Sequence, residues 1–326
     1  MDRRSLLRLG LATSAAFALR APRAHAQRGF PERPLRLVVP YPVGGPYDIL
    51  GRMYAQKVGE ILGQPMIVEN KPGGETSIGA ADVAHAKPDG YSLLLGGSPT
   101  HVYTPAIMAK PPYDPLKDLA QLAVTGIEAT CITVSSNFAA KTLQDLTAMV
   151  KANPDKYSYG DTAPSVQLAA ELYKLRSGGL DIVGIPYGGF APALRDLLGG
   201  RIHMLPAIVG SVANYHQQGT LRILAVLAEK RLASLPDVPT AIEAGLPDLV
   251  LWTFAILCTT AGTPKPIIDR LYQATHKVLS DREFVKFQQA RGIEPVTDST
   301  PESATQFVLD QIARLTPLIN SLRRKS

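Results

Sequence analysis

Val38-Val-Pro-Tyr-Pro-Val-Gly-Gly-Pro-Tyr-Asp-Ile-Leu-Gly-Arg52 decides how this chain folds. An apolar strand, Leu35 to Val39, stops at Pro40 and passes through a Pro/Gly-rich turn. It opens a helix whose apolar residues Leu50, Met53, Tyr54, Val58, Ile61 and Leu62 recur at 3.6 spacing. Gly44 and Gly45 permit positive φ and close approach of the backbone to a ligand. The first-turn amides of the helix point into the same space, with the positive end of its dipole behind them. Such a corner binds anions, carboxylates included. Asp48 has two readings there, as the N-terminal cap of the helix or as a direct ligand contact.

The pattern repeats along the chain. Gly63 ends the first helix, and 66–69 reads as a short strand. The turn from Asn70 to Gly79 leads into a helix to Ala86, with Thr76 or Ser77 placed to cap it. A strand over 91–95 ends in the small, polar loop Gly96 to His101. Strands over 119–127 and 131–134 precede a second βα series: helix 143–152 after a capping Thr142, strand 157–159, helix 165–176, strand 182–185, helix 191–198 and strand 202–205. Its loops, Gly160 to Ser165 and Pro186 to Phe190, mirror those of the first series. After a strand over 221–227, the spacing predicts a short helix ending near Gly245, an apolar run 249–258, and tail helices that clad the first sheet. Polar loops at successive strand ends are the pattern of an open α/β sheet with its site at the strands' C-terminal edge.

The 326-residue chain opens with a twin-arginine pattern, Arg3-Arg-Ser-Leu-Leu-Arg8. An apolar stretch and Ala24-His-Ala26 follow, so residues 1–26 read as an export signal and the mature protein is expected in the periplasm. Without five Arg and one Asp, 29 basic and 27 acidic residues remain, a net charge of +2. No basic stripe with interleaved aromatics survives to support nucleic-acid binding. Cys131 and Cys258 each sit in an apolar run and read as buried thiols, although an oxidising compartment would also allow pairing.

Catalytic signatures are absent: there is no Gly-x-Ser-x-Gly elbow, Cys-x-x-Cys, His-Glu-x-x-His, phosphate-binding loop or dinucleotide fingerprint. No histidine has a partner at metal-ligand spacing, and neither cofactor nor metal is expected. His101 alone lies in a candidate site loop, either as a structural hydrogen-bonding residue or as a site residue. Two α/β lobes with glycine-rich loops facing one another would close on a small anion without catalysis. An enzyme would need an acid/base pair, and only Asp48, Asp161 and His101 are placed to supply one.

The whole mature chain resembles the Bug-type, TctC-like extracytoplasmic solute-binding proteins of tripartite tricarboxylate transporters. The resemblance rests on Val38 to Asp48, Val68-Glu-Asn-Lys-Pro-Gly-Gly74, Lys87-Pro-Asp-Gly-Tyr91, Pro112-Tyr-Asp-Pro115, Val183-Gly-Ile-Pro-Tyr-Gly-Gly189, Leu235-Pro-Asp-Val-Pro-Thr240 and Ala261-Gly-Thr-Pro264, in that order. It implies an α/β, two-domain type II periplasmic-binding fold with a ligand cleft between the domains. The first domain would comprise 27–126 and 251–326, and the second 127–250. It implies a carboxylate ligand held largely by main-chain N–H groups, delivered to inner-membrane transporter subunits or reported to a sensor protein, by a monomer. The site residues so implied are Tyr41, Pro42, Gly44, Gly45, Tyr47, Asp48, Ser77, Ser98, Thr100, Asp161, Thr162, Ser165 and Tyr187.

Three positions depart from the family's pattern. Tyr47 stands where a small residue is usual, Asp161 brings a carboxylate towards an anion site, and the apolar Leu205-Pro-Ala-Ile-Val209 replaces a polar run. These point to a ligand less anionic than citrate, an aromatic acid stacked on Tyr47 or an acid whose amine pairs with Asp161. The alternative is that Tyr47 faces solvent and Asp161 caps a helix.

Overall fold

The computed structural model describes residues 29–323, so the expected export signal lies outside the described residues. Strand β1, Leu35–Val39, sits between β2, Met66–Asn70, and β3, Ser92–Gly97, all parallel. On the other side of β3 runs antiparallel β9, Trp252–Thr260, then β4, Leu119–Ser135, then the short β10, Glu294–Pro295. The helix Pro46–Leu62 turns Leu50, Tyr54, Val58 and Leu62 onto this sheet, as their spacing predicts. It ends where Gly63 adopts φ 72°, a left-handed conformation that glycine takes without a Cβ clash. On the same face pack Ile267, Leu271 and Val278 of the helix Lys265–Leu279 and Phe284 of the helix Arg282–Gln289.

The expected strands 119–127 and 131–134 are one continuous 17-residue strand. Its first part, to Ala129, pairs with β9; its second part, from Thr130, pairs with β7, Leu205–Ile208, and β8, Leu221–Val226. One strand therefore belongs to both lobes. The second lobe is completed by the parallel pair β5, Ser158–Asp161, and β6, Val183–Pro186, with β5 bridged to Met204 just before β7. The helix Leu143–Ala152 starts as predicted. Thr142 accepts from the Asp145 amide, and the Asp145 carboxylate accepts from the Thr142 amide.

Several expectations are corrected. The strand read over 202–205 lies at 205–208, and Val209–Gln217 is a helix, because Gly210 and Ser211 obscure its apolar spacing. Residues 241–245 form turns and no helix. The loop 96–101 is instead the end of β3 followed by a π-helix, Pro99–Tyr103. Neither Thr76 nor Ser77 caps the helix Ser77–Ala84 through its side chain; Thr76 sits at the N-cap with φ 75°. The last helix, Pro301–Arg323, does not simply clad the first sheet. Ala304, Val308, Leu315 and Ile319 join a core with Ile132, Val134 and Leu224 of the second lobe and Val102, Tyr103 and Val124 of the first. Cys131 and Cys258 are buried free thiols on different strands, and burial pushes both thiol pKa values up.

Candidate functional site

The first wall of the candidate site is built at the C-terminal end of β1. Pro42, Val43 and Gly44 are exposed, Gly44 takes φ 79°, and the amide of Gly45 bonds back to Pro42 O at 3.3 Å. Gly45 is the N-cap of the following helix, Pro46 occupies its first turn, and no side chain caps it. Asp48 is 2 % exposed and does not line the surface of the loop. Its carboxylate accepts from the Gly44 amide at 2.8 Å, Asn70 Nδ2 at 2.9 Å and Arg52 Nε at 3.1 Å. These bonds, led by that from Arg52, hold its pKa down at about 2. Asp48 therefore clamps the loop from beneath, its charge matched by Arg52, and leaves the helix N-terminus to attract an anion.

Ser98, Thr100 and His101 support the wall from behind. Ser98 Oγ accepts from the Phe254 amide at 3.0 Å, and Thr100 Oγ1 both accepts from Gly97 N and donates to Gly97 O. His101 is fully buried between Thr100 Oγ1, at 2.8 Å from Nδ1, and Gln121 Oε1, at 3.2 Å from Nε2. Burial lowers its pKa to about 4, so it is neutral and structural. Ser77 is also buried, at the start of its helix.

Tyr47 neither faces solvent nor offers both ring faces to a ligand. It stacks on Tyr41, with ring centroids 4.2 Å apart and planes 23° from parallel, and donates its hydroxyl to Phe254 O at 3.0 Å. Gly97 makes this possible, since a Cβ there would occupy the space of the Tyr47 hydroxyl.

The second wall stands at the ends of β5 and β6. Asp161 and Thr162 are partly buried, and Ala163 is the N-cap of the helix Pro164–Arg176, with no side-chain cap; Asp161 thus does not cap it. Ser165 lies in its first turn. Burial and the nearby charge of Glu171 raise the pKa of Asp161. The Tyr187 amide donates to Asp161 O at 2.8 Å and ties the two loops together, while the Tyr187 hydroxyl donates to Asp196 Oδ2 at 2.8 Å. Gly189, at φ 142°, opens the helix Phe190–Leu198, again without a side-chain cap.

Between the walls, where β4 passes from one sheet to the other, lies a residue that sequence reasoning missed. Glu128 is opposite Thr253 in β9, and Thr253 Oγ1 reaches its Oε2 only at 3.4 Å. No cation pairs with it among the described residues, and burial pushes its pKa up to about 7. A charged side chain in the otherwise uncharged run from Leu119 to Ser135 was the signal that could have found it. Arg314 of the last helix is half-buried over the Trp252 ring at 5.5 Å.

A concavity of about 340 Å³ at the opposite edge of the first sheet, lined by Arg33, Arg36, Glu69 and Asp89, is a weaker candidate. Its charges already pair with one another, and it sits at the wrong end of the parallel strands. Among the described residues no cluster of His, Cys, Asp and Glu could hold a metal ion, and no helix is long and apolar enough to cross a membrane.

Two α/β lobes sharing a strand, with uncapped helix N-termini at their strand ends, define the class of two-lobed solute-binding proteins. Residues 50–323 match the model of the tripartite tricarboxylate transporter family receptor, TctC. Protein BugT of Bordetella pertussis is 33% identical over 288 residues, 87% of this chain and 88% of BugT. Among solved structures, MatC from Rhodopseudomonas palustris with bound malate is 28% identical, with a TM-score of 0.75 over 89% of this chain and 100% of that one. An R. palustris protein with adipate is likewise 28% identical, with a TM-score of 0.77 over 89% of this chain and 97% of that one. The chain belongs to the TctC receptor family.

Proposed function

We propose that this protein is a periplasmic receptor that closes its lobes on a small carboxylate and presents it to the membrane subunits of a tripartite tricarboxylate-type transporter. The observation that carries this reading is that the helices opening at Pro46, Pro164 and Phe190, beside the two walls, are among those that start without side-chain caps. Each follows the end of a strand and leaves first-turn amides that no side chain satisfies. The malate and adipate held by two relatives support the same ligand class. The first lobe comprises 27–126 and 251–326, and the second 127–250.

The carboxylate lies between the loop Tyr41 to Gly45, exposed over Pro42 to Gly44, and the facing Asp161, Thr162 and Ser165. Asp48, Ser98 and Thr100 shape the first wall, and Tyr187 the second. Calorimetric titration with malate, adipate, citrate and aromatic acids tests this. A true ligand at ~100 times its Kd raises stability by ~2.7 kcal/mol. Absence of binding by every carboxylate in a broad panel would sink the reading.

A further inference from the structure

Glu128 is a carboxylate without a counter-ion in a cleft that the proposed function gives to an anion, and its surroundings say what it is for. Its pairing with Thr253 puts both side chains on one face of the sheet, since directly opposed residues share a face. Burial chiefly raises the pKa of the Tyr41 and Tyr47 hydroxyls, and both lie close enough to Glu128 for its charge to add to that effect. Tyr47 has committed its proton to Phe254 O, leaving oxygen lone pairs, and Tyr41 Oη is buried without a well-formed hydrogen bond.

Among the described residues no basic side chain pairs with Glu128, and Arg314 of the last helix, which packs against β4, spends its guanidinium over the Trp252 ring and on Val250 O and Gln311 Oε1. Arg52 is held by Asp48 and Asn70. Arg291, whose backbone abuts Gly210 of the helix Val209–Gln217, spends its guanidinium over the Phe287 ring at 3.7 Å. That helix carries no charged residue before His216. Glu294 of β10 is opposite Ile127 and so belongs to the alternate face. What remains is two stacked electron-rich rings, a hydroxyl acceptor and an unpaired carboxylate, a combination that attracts a cation.

We infer that this protein recognises a carboxylate that also carries a cationic nitrogen, with Glu128 as the acceptor for that nitrogen and the Tyr41–Tyr47 pair beside it. The inference rests on the receptor reading above. The ligand's carboxylate takes the helix N-termini and its nitrogen takes the floor of the cleft, so the two ends are read by different elements. Ligand binding then holds Glu128 ionised, and a plain dicarboxylate instead meets a like charge.

Matched pairs test this by calorimetric titration of the purified protein: aspartate against succinate, glutamate against glutarate, and trimethylglycine against its carbon isostere 3,3-dimethylbutyrate. In at least one pair the nitrogen member is expected to bind ~10-fold or more tighter at about pH 8, and Glu128→Gln to remove at least ~10-fold from that member while sparing its partner. A trimethylglycine preference would assign recognition to the rings and charge, an aspartate or glutamate preference to N–H donation. Affinity for the nitrogen member falls from about pH 8 to 6 as Glu128 takes up a proton, whereas that of the carbon member does not. This profile, read on the unaltered protein, decides the matter if the variant fails to fold. Equal binding within every pair, or equal weakening of both members by Glu128→Gln, overturns the inference alone. No binding by any member of the panel or by malate and adipate overturns the receptor reading with it.

Discussion

Asp48 and His101 are both buried ionisable residues of the first wall, and their protons tell them apart. Asp48→Ala leaves the Gly44 amide, the Asn70 amide and Arg52 without their acceptor. It should cost ~2 kcal/mol in urea denaturation and weaken ligand binding through a loosened loop. Because the folded pKa of Asp48 is depressed to about 2, its contribution is complete above the unfolded carboxyl range near ~4. It is lost as the pH falls from there towards 2. His101 acts at higher pH. Its folded pKa of about 4 lies below the unfolded value near ~6.5, so the neutral side chain stabilises the fold above that value and the advantage declines on acidification. The unaltered protein should lose roughly 2 kcal/mol between about pH 7 and 5 from this residue, and His101→Asn should flatten that slope. The sequence offered Asp48 as cap or ligand contact, and the structure gives it a clamp's role, because only folding brings Asn70 of β2 across to it. Glu128 was passed over for the same reason: its meaning lies in Tyr41, Tyr47 and Thr253, all distant in sequence.

Among the elements, the helix Val209–Gln217 touches the first lobe directly. Its Gly210 lies against Arg291 and Gly292 of the first-lobe tail, and a Cβ at 210 would run into the Arg291 carbonyl. Gly210→Ala should therefore destabilise by ~1–3 kcal/mol by overpacking, and it should also alter ligand affinity, since it presses on a contact between the lobes. Melting curves with and without ligand separate the two effects. This helix was invisible in the sequence, where glycine and serine follow Val209, whereas Pro46–Leu62 and Leu143–Ala152 were legible almost to the residue. Those two carry regular apolar spacing with sharp boundary residues, Pro46 and Gly63, and Thr142. Strand β4 was read as two pieces because Gly126, Glu128 and the alternating small residues look like a break. A strand flanked on both sides needs no turn signal where it changes sheets.

Across the whole molecule, the shared strand ties the two halves into one folding unit. Calorimetry of the protein without ligand should show a single endotherm, with ligand raising its midpoint, and two separable transitions would mean the lobes melt alone. Strand β4 also sets an order of events during synthesis. Strands β7 and β8, which pair with the second part of β4, and the separate pair β5 and β6 all lie between residues 158 and 226, after β4. The first sheet keeps β3 and the early part of β4 apart until Trp252–Thr260 is made and slots between them. The sheet that begins the chain is thus the last to close. In pulse-labelling exchange during refolding, amides of 130–135 and 221–226 should gain protection before those of 93–97. The oldest segment of the nascent chain waits, its strand edges open, for a segment made about half a chain later.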